Sequence, residues 1–160
     1  MLGSLAPGVT EAQTLTDDVE IGCDVCIVGS GPGGAVTAAV LAQAGLRVIV
    51  VEEGGYFTKS RFRQREDEAY PYLYQDGTQR TTKDVAITIL QGKAVGGGSV
   101  VNWTTCFRTP DDVVDRWRTK HGVGSVDVDN LAPHFAWAEQ RLGINKIPLE
   151  LVNKNNRTIW

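Results

Sequence analysis

An α/β fold on a parallel sheet is predicted by three features of this 160-residue sequence. The apolar run Val25-Cys26-Ile27-Val28 leads directly into the glycine-rich segment Gly29-Ser30-Gly31-Pro32-Gly33-Gly34. An alanine-rich stretch follows, and then a second apolar run over residues 47–52. Two apolar strands flanking one helix make a βαβ unit of about 30 residues, with a right-handed crossover.

Each element has its own reason. The first run is short and wholly apolar, which suits a strand buried on both faces. Residues 33–44 carry Ala35, Ala38, Ala39 and Ala42, small side chains that let a helix approach a sheet closely, and Gly45 is placed to cap it. Residues 47–52 (RVIVVE) form the second buried strand. Residues 56–83 are polar and aromatic, with a short helix over 61–70. Residues 85–90 (VAITIL) make a third strand, and the cluster Gly96-Gly97-Gly98-Ser99 follows it. A further helix opens at Pro110 and Asp111 and runs to about Lys120, its first turn favoured by Asp111 and Asp112. The last clear helix, capped by Asp127 or Asp129, runs through Leu142 with Leu131, Phe135, Ala138 and Leu142 on one face. Residues 153–160 carry no capping signal, and residues 1–20 are a polar, acidic lead-in that orders on docking.

Length and composition bound the function. A chain of 160 residues buries one core and makes one domain. The composition is 42% hydrophobic and 22% charged with net charge −3, which gives no electrostatic basis for nucleic-acid binding. No apolar run approaches the roughly 20 residues of a membrane span. No Lys or Arg precedes Arg47, so a signal-peptide n-region is lacking and a cytoplasmic location is expected. Cys23 and Cys26 spell C-x-x-C, but on a strand their side chains point to opposite faces and their Cα atoms lie about 10 Å apart, too far for a disulfide. They read as two small buried hydrophobes.

The first glycine cluster fits G-x-G-x-x-G with Gly29, Gly31 and Gly34. Gly29 allows the tight turn out of the strand, Gly31 removes the Cβ that would block a pyrophosphate, and Gly34 lets helix and strand pack. The helix N-terminus, at Ser30, Gly31, Gly33 and Gly34, presents free N–H groups to phosphate, and Pro32 costs little there. Glu52 stands 18 residues after Gly34, at the end of the next strand, where a carboxylate accepts hydrogen bonds from ribose hydroxyls and repels a 2′-phosphate. Glu53 is the neighbouring candidate; alternation favours one of the two, and Glu52 is preferred. The second cluster lies about 60 residues on. Gly96, Gly97 and Gly98 bring backbone amides to a second stretch of ligand, Ser99 offers a hydroxyl, and Asn102 an amide that donates and accepts. Two such loops with an acidic residue between them point to a Rossmann-like fold holding one long dinucleotide, FAD.

The segment Gly92-Lys93-Ala94-Val95-Gly96-Gly97-Gly98-Ser99-Val100-Val101-Asn102 resembles the N-terminal signature of the GMC (glucose–methanol–choline) oxidoreductases. Asp24-Val25-Cys26-Ile27-Val28-Gly29 resembles the family's opening strand and Val51-Glu52-Glu53-Gly54-Gly55 its second-strand end, with Glu53 where a small residue is usual. Arg108, Trp117, Gly122, Pro133, Phe135 and Glu139 fall in the spacing seen after the signature. Cys106 and Thr109 depart from it, and the string from Asn102 to Pro110 is similar to the long-chain-alcohol-oxidase-like branch.

The resemblance implies an FAD-dependent oxidoreductase that takes a CH–OH donor to aldehyde or ketone by hydride transfer to flavin N5, with a hydrophobic alcohol as small-molecule substrate and the electron acceptor left open. Some members bind flavin covalently through a His before the Asn; Val101 holds that place, which implies noncovalent FAD. The family's catalytic His/Asn or His/His pair lies in its C-terminal half. The sequence therefore reads as an incomplete N-terminal part: lead-in over 1–20, FAD-binding domain over 21–160, and neither substrate domain nor catalytic residue, so that it is inactive alone. His121, in a loop, and His134, at a helix start, are assigned no catalytic role. The alternatives are a non-catalytic FAD- or ADP-binding module serving a partner chain, and a nicotinamide-dependent dehydrogenase, against which the second glycine cluster counts.

Overall fold

Strands β1 (Val25–Val28) and β2 (Val48–Val51) pair in parallel, with Val25 opposite Val48 and Val28 opposite Val51. Helix α1 (Pro32–Gln43) connects them and packs on the sheet. The computed structural model describes residues 7–158, so the first six residues of the expected lead-in and the last two of the chain lie outside the described residues. The chain forms two compact units, one up to Trp103 and one from Thr104 onward.

In the first unit the Pro32 position at the start of α1 and the Ala44–Gly45 stop follow the sequence signals; Gly45 takes φ +89, which a side chain would resist. The helix turns Gly34, Ala38 and Leu41 toward the sheet and leaves Ala35, Ala39 and Ala42 exposed. Gly34 is the point of closest approach, where a Cβ would overlap the Gly29 carbonyl oxygen and stand 3.3 Å from Ile27 Cγ2. Helix α2 (Glu66–Leu73) begins five residues later than expected, after a single 3-10 turn over Lys59–Arg61. Residues 92–95 run between these parts. Ala94 bridges Gly55 in parallel and Gly92 bridges Tyr74 antiparallel, and the Lys93 N–H donates to the Leu73 carbonyl at 2.7 Å. Ala94 is fully buried, and with Leu73 it forms the apolar centre of the unit.

Three expectations are corrected here. Neither strand is buried on both faces: in β1 Val25 and Ile27 are partly covered, whereas Cys26 and Val28 are exposed, Val28 at 88%, and in β2 Val50 and Val51 are exposed. A helix covers one face of the two-stranded sheet, and a wholly apolar strand reports only that both faces can be covered. Cys26 is accordingly exposed and Cys23 half-buried, both as free thiols. Residues 85–90 do not join the sheet. Asp84 accepts hydrogen bonds from the Thr82 hydroxyl and the Ala86 N–H, a local turn that sets Val85 at φ +59. The segment pairs with its own approach instead: Thr82 N–H to Ile87 carbonyl at 2.9 Å and Ile89 N–H to Arg80 carbonyl at 2.8 Å.

The second unit holds helices α3 (Asp111–His121) and α4 (Val128–Leu142), which pack together. Both end on glycines in the left-handed region, Gly122 and Gly143. Asp127, not Asp129, caps α4, accepting from the Asn130 N–H at 2.7 Å. Leu131, Phe135 and Ala138 are partly covered, but Leu142 in the last turn is exposed. His121 closes α3 and His134 lies inside α4, neither of them in the loop or start position expected. The Arg108 guanidinium grips Glu139 through two hydrogen bonds of 2.7 and 2.6 Å and lies 5.8 Å from the Phe135 ring centroid. That hydrogen bonding holds the Glu139 carboxyl below its ordinary pKa and raises that of Arg108. A four-residue helix α5 (Lys154–Arg157) is capped by Asn153, a signal missed in the sequence because the helix has no apolar periodicity.

Gly34→Ala is expected to lower the urea midpoint by an amount equivalent to about 1–3 kcal/mol, because its Cβ meets backbone that cannot yield. Gly33→Ala, whose Cβ meets nothing within 4 Å, is expected to leave the midpoint unchanged or raise it. Equal effects of the two would contradict the packing described for α1.

Candidate functional site

The carboxyl ends of the parallel strands open onto a cleft of about 430 Å³. Val28 and Val51, paired across the sheet, stand at its edge, and the Gly29 N–H extends the ladder by donating to the Val51 carbonyl at 2.7 Å. Gly29 takes φ +92, which turns the chain sharply out of β1 and delivers Gly31 to the cleft as the N-cap of α1. Ligand sites in open α/β sheets form at this position, beyond the strand ends.

One carboxylate holds the loops in place. Glu52 Oε2 accepts from the Ser30 N–H at 2.8 Å and from the Ser30 hydroxyl at 2.7 Å, and Oε1 accepts from the Gly54 N–H at 2.8 Å. The same Ser30 Oγ accepts from the Gly96 N–H at 2.9 Å. Ser30 is 8% exposed, so this hydroxyl joins three chain segments with little competition from water. Partial burial pushes the Glu52 carboxyl up, but the donors from Ser30, Gly54 and the Glu53 amide outweigh it and hold its pKa below the ordinary value.

The two glycine clusters meet. Gly97, at φ +55, brings its backbone so near the first loop that a Cβ would stand 2.9 Å from Gly31 Cα. A Cβ on Gly92 would overlap the Gly97 carbonyl, so the approach to the second loop is equally tight. The loops therefore form one continuous wall, where the sequence suggested two separated grips. Gly31 itself faces open space: a Cβ there would meet nothing within 4 Å.

Of the residues expected at the site, Gly29, Gly31, Glu52, Gly97 and Gly98 line the cleft. Ser30 lies beneath the lining as the buried link, Gly34 packs helix on strand, and Gly96 supplies an amide and the φ +99 turn. Gly33, Ser99 and Asn102 are exposed and outside the lining, with the Asn102 amide donating to the Ser99 carbonyl at 2.8 Å. Glu53 also lines the cleft, with Lys93 at 3.9 Å, so strand alternation did not separate the two acids. Gln91 and Gly92 are further lining residues that sequence reasoning missed. Gly92, which opens the second signature, was the available signal for them.

The wall suits a dinucleotide. The first-turn N–H groups of α1 have no intrahelical acceptor, and the place of the missing Gly31 Cβ is open to a diphosphate. Each carboxylate oxygen offers about two acceptor directions; Glu52 Oε1 uses one on Gly54, which leaves one for a ribose hydroxyl. No group of three or more metal-ligating side chains occurs among the described residues, and no helix there is long and apolar enough to cross a membrane.

Comparison with known proteins bears on the same residues. A family model described as GMC oxidoreductase matches residues 70–159, and one described as FAD binding domain matches residues 22–66. The chain is 45% identical, over 77% of its length, to long-chain-alcohol oxidase FAO3 of Arabidopsis thaliana, of which that match covers 17%. It is 38% identical, over 99% of its length, to the GMC-type oxidoreductase Rv0492c of Mycobacterium tuberculosis, covering 24% of that protein. It is 32% identical, over 78% of its length, to a cholesterol oxidase of Mycobacterium tuberculosis, covering 22%. The chain thus spans less than a quarter of the length of these curated relatives.

Because the folded pKa of Glu52 is depressed, its contribution to stability is present above the unfolded value of about 4.3 and is lost as pH falls through the folded value. Glu52→Gln is expected to be less stable than the parent at pH 7, with the difference closing as the pH falls below the unfolded value and through the depressed folded one. Urea midpoints across that range measure it, and a gap that stays constant would contradict the assignment. Ser30→Ala, which leaves the Gly96 N–H without its acceptor, is expected to cost about 1–3 kcal/mol at pH 7.

Proposed function

The chain belongs to the GMC oxidoreductase family, and from that premise we propose that residues 21–160 are the FAD-binding portion of an enzyme that oxidises a hydrophobic alcohol to an aldehyde or ketone. The observation that carries this reading is the contact of the Gly31 and Gly97 backbones over one cleft, tied from beneath by Ser30 and Glu52. A Rossmann-like arrangement of the βαβ unit is part of the proposal, supported by the parallel pairing of β1 and β2 and the cleft at their carboxyl ends.

Gly31, Gly97 and Gly98 would give backbone surface and amides to the diphosphate, and the start of α1 would favour its charge. Glu52 Oε1 would accept from the adenosine ribose. When bound, FAD would supply a flavin ring able to take a hydride from the alcohol carbon. Val101 before Asn102 offers no nucleophile for a covalent flavin link, which supports noncovalent binding. No proton-abstracting role is assigned to any of these residues, since His121 and His134 are exposed and neither lines the cleft. The hydrophobic substrate class is supported by relatives whose names specify long-chain alcohols and cholesterol.

Titration with FAD is expected to give saturable binding, with the flavin released to the supernatant on acid precipitation. Gly31→Val puts a side chain where the protein has open space, so the fold is expected to persist while FAD affinity falls about tenfold or more. Tight NAD binding with no flavin uptake, or unchanged FAD affinity in Gly31→Val, would overturn the reading.

A further inference from the structure

A second and larger cavity, of about 1020 Å³, lies in the first unit away from the glycine loops. Its lining includes the apolar and aromatic residues Phe57, Phe62, Ala69, Tyr72 and Leu73. Arg61, Arg63 and Arg65 stand in the same lining, against two acids, Glu11 and Glu68. Glu68 is engaged twice, by Arg63 at 3.7 Å and by Arg65 at 3.4 Å. Arg65 also makes a bidentate pair with Asp67 at 3.1 and 2.6 Å. Arg61 is different: its guanidinium has no hydrogen-bond or ion-pair partner among the described residues.

We propose that this cavity binds a long-chain carboxylate, with the acyl chain against Phe57, Phe62 and Tyr72 and the carboxylate on Arg61. A guanidinium presents its donors as a planar fork that matches two carboxylate oxygens, and the charge-assisted pair is about twice as strong as a neutral hydrogen bond. Phe62 and Tyr72 are both exposed, at 44% and 65%, so an apolar chain lying over them removes surface that water now covers. The volume of about 1020 Å³ is just above the roughly 300–1,000 Å³ of sites that hold small-molecule ligands. The chemistry also separates this site from the dinucleotide cleft, whose charged lining residues are the acids Glu52 and Glu53. A long-chain alcohol fills the same apolar wall but leaves the guanidinium without a counter-charge, and a quaternary ammonium amphiphile is repelled by it.

The test is isothermal titration calorimetry of the 160-residue chain with dodecanoate below its micellar concentration, beside dodecanol and dodecyltrimethylammonium as matched probes. Dodecanoate is expected to bind saturably and more tightly than either. Arg61→Gln is expected to weaken dodecanoate about tenfold or more while leaving dodecanol unchanged. Arg61→Lys is expected to keep part of the preference for the anion, and an unchanged urea midpoint shows that each variant is folded. Equal affinity for dodecanoate and dodecanol, dodecanoate binding unaffected by Arg61→Gln, or binding only above the micellar concentration would each overturn the proposal. None of these measurements uses flavin, so their outcome is independent of the cofactor reading.

Discussion

The arrangement of the cleft depends on one hydroxyl. Ser30 Oγ donates to Glu52 and accepts from Gly96, so three segments separated by 22 and 66 residues meet at one atom. The glycines of the two loops have no side chains with which to hold the loops in shape. Glycine gives a loop its close approach and its positive φ, and it also gives an unfolded chain the most freedom to lose. Fixed hydrogen bonds from outside the loops offset that loss. Glu52 supplies them to the first loop through the Ser30 N–H and hydroxyl, and Ser30 passes them to the second through the Gly96 amide.

This changes what the carboxylate at the end of β2 is for. An acid in that position reads as a ribose acceptor, and Glu52 does line the cleft with an acceptor direction left on Oε1. Its other interactions are internal. Ligand recognition and loop scaffolding share one side chain, and its depressed pKa keeps the scaffold charged below the pH at which an ordinary glutamate takes up its proton. In the second unit Arg108, Phe135 and Glu139 make a comparable tie, between the segment entering α3 and helix α4. That tie is exposed, and solvent screens it more than the buried link at Ser30.

Much of this was readable from residues alone. The β1–α1–β2 unit, the tight turn at Gly29 and the packing role of Gly34 each follow from one local rule about strands or glycine, and each stands where those rules put it. What escaped reading was non-local. Nothing in VAITIL reveals that Asp84, just before it, bonds Thr82 and Ala86 and closes the run on itself. Apolar character alone does not say how many faces of β1 or α1 are covered, and Val28, Val36 and Val40 stand exposed. Ser30 read as a ligand contact because it stands at the helix N-terminus, where N–H groups face phosphate, and only the fold shows its hydroxyl accepting from Gly96. The same holds for the contact of Gly31 with Gly97, whose spacing in the chain gives no hint of touch.

That contact makes the two loops a single heritable unit. Bulk added at Gly97 must be absorbed by Gly31, and a shift of Gly31 moves the start of α1 with it. Substitutions in the two signatures are therefore non-additive, and drift at one position narrows what the other can accept. An engineer who randomises each loop separately would recover few functional recombinants; a library that varies Gly31, Gly92 and Gly97 together samples the one geometry they share.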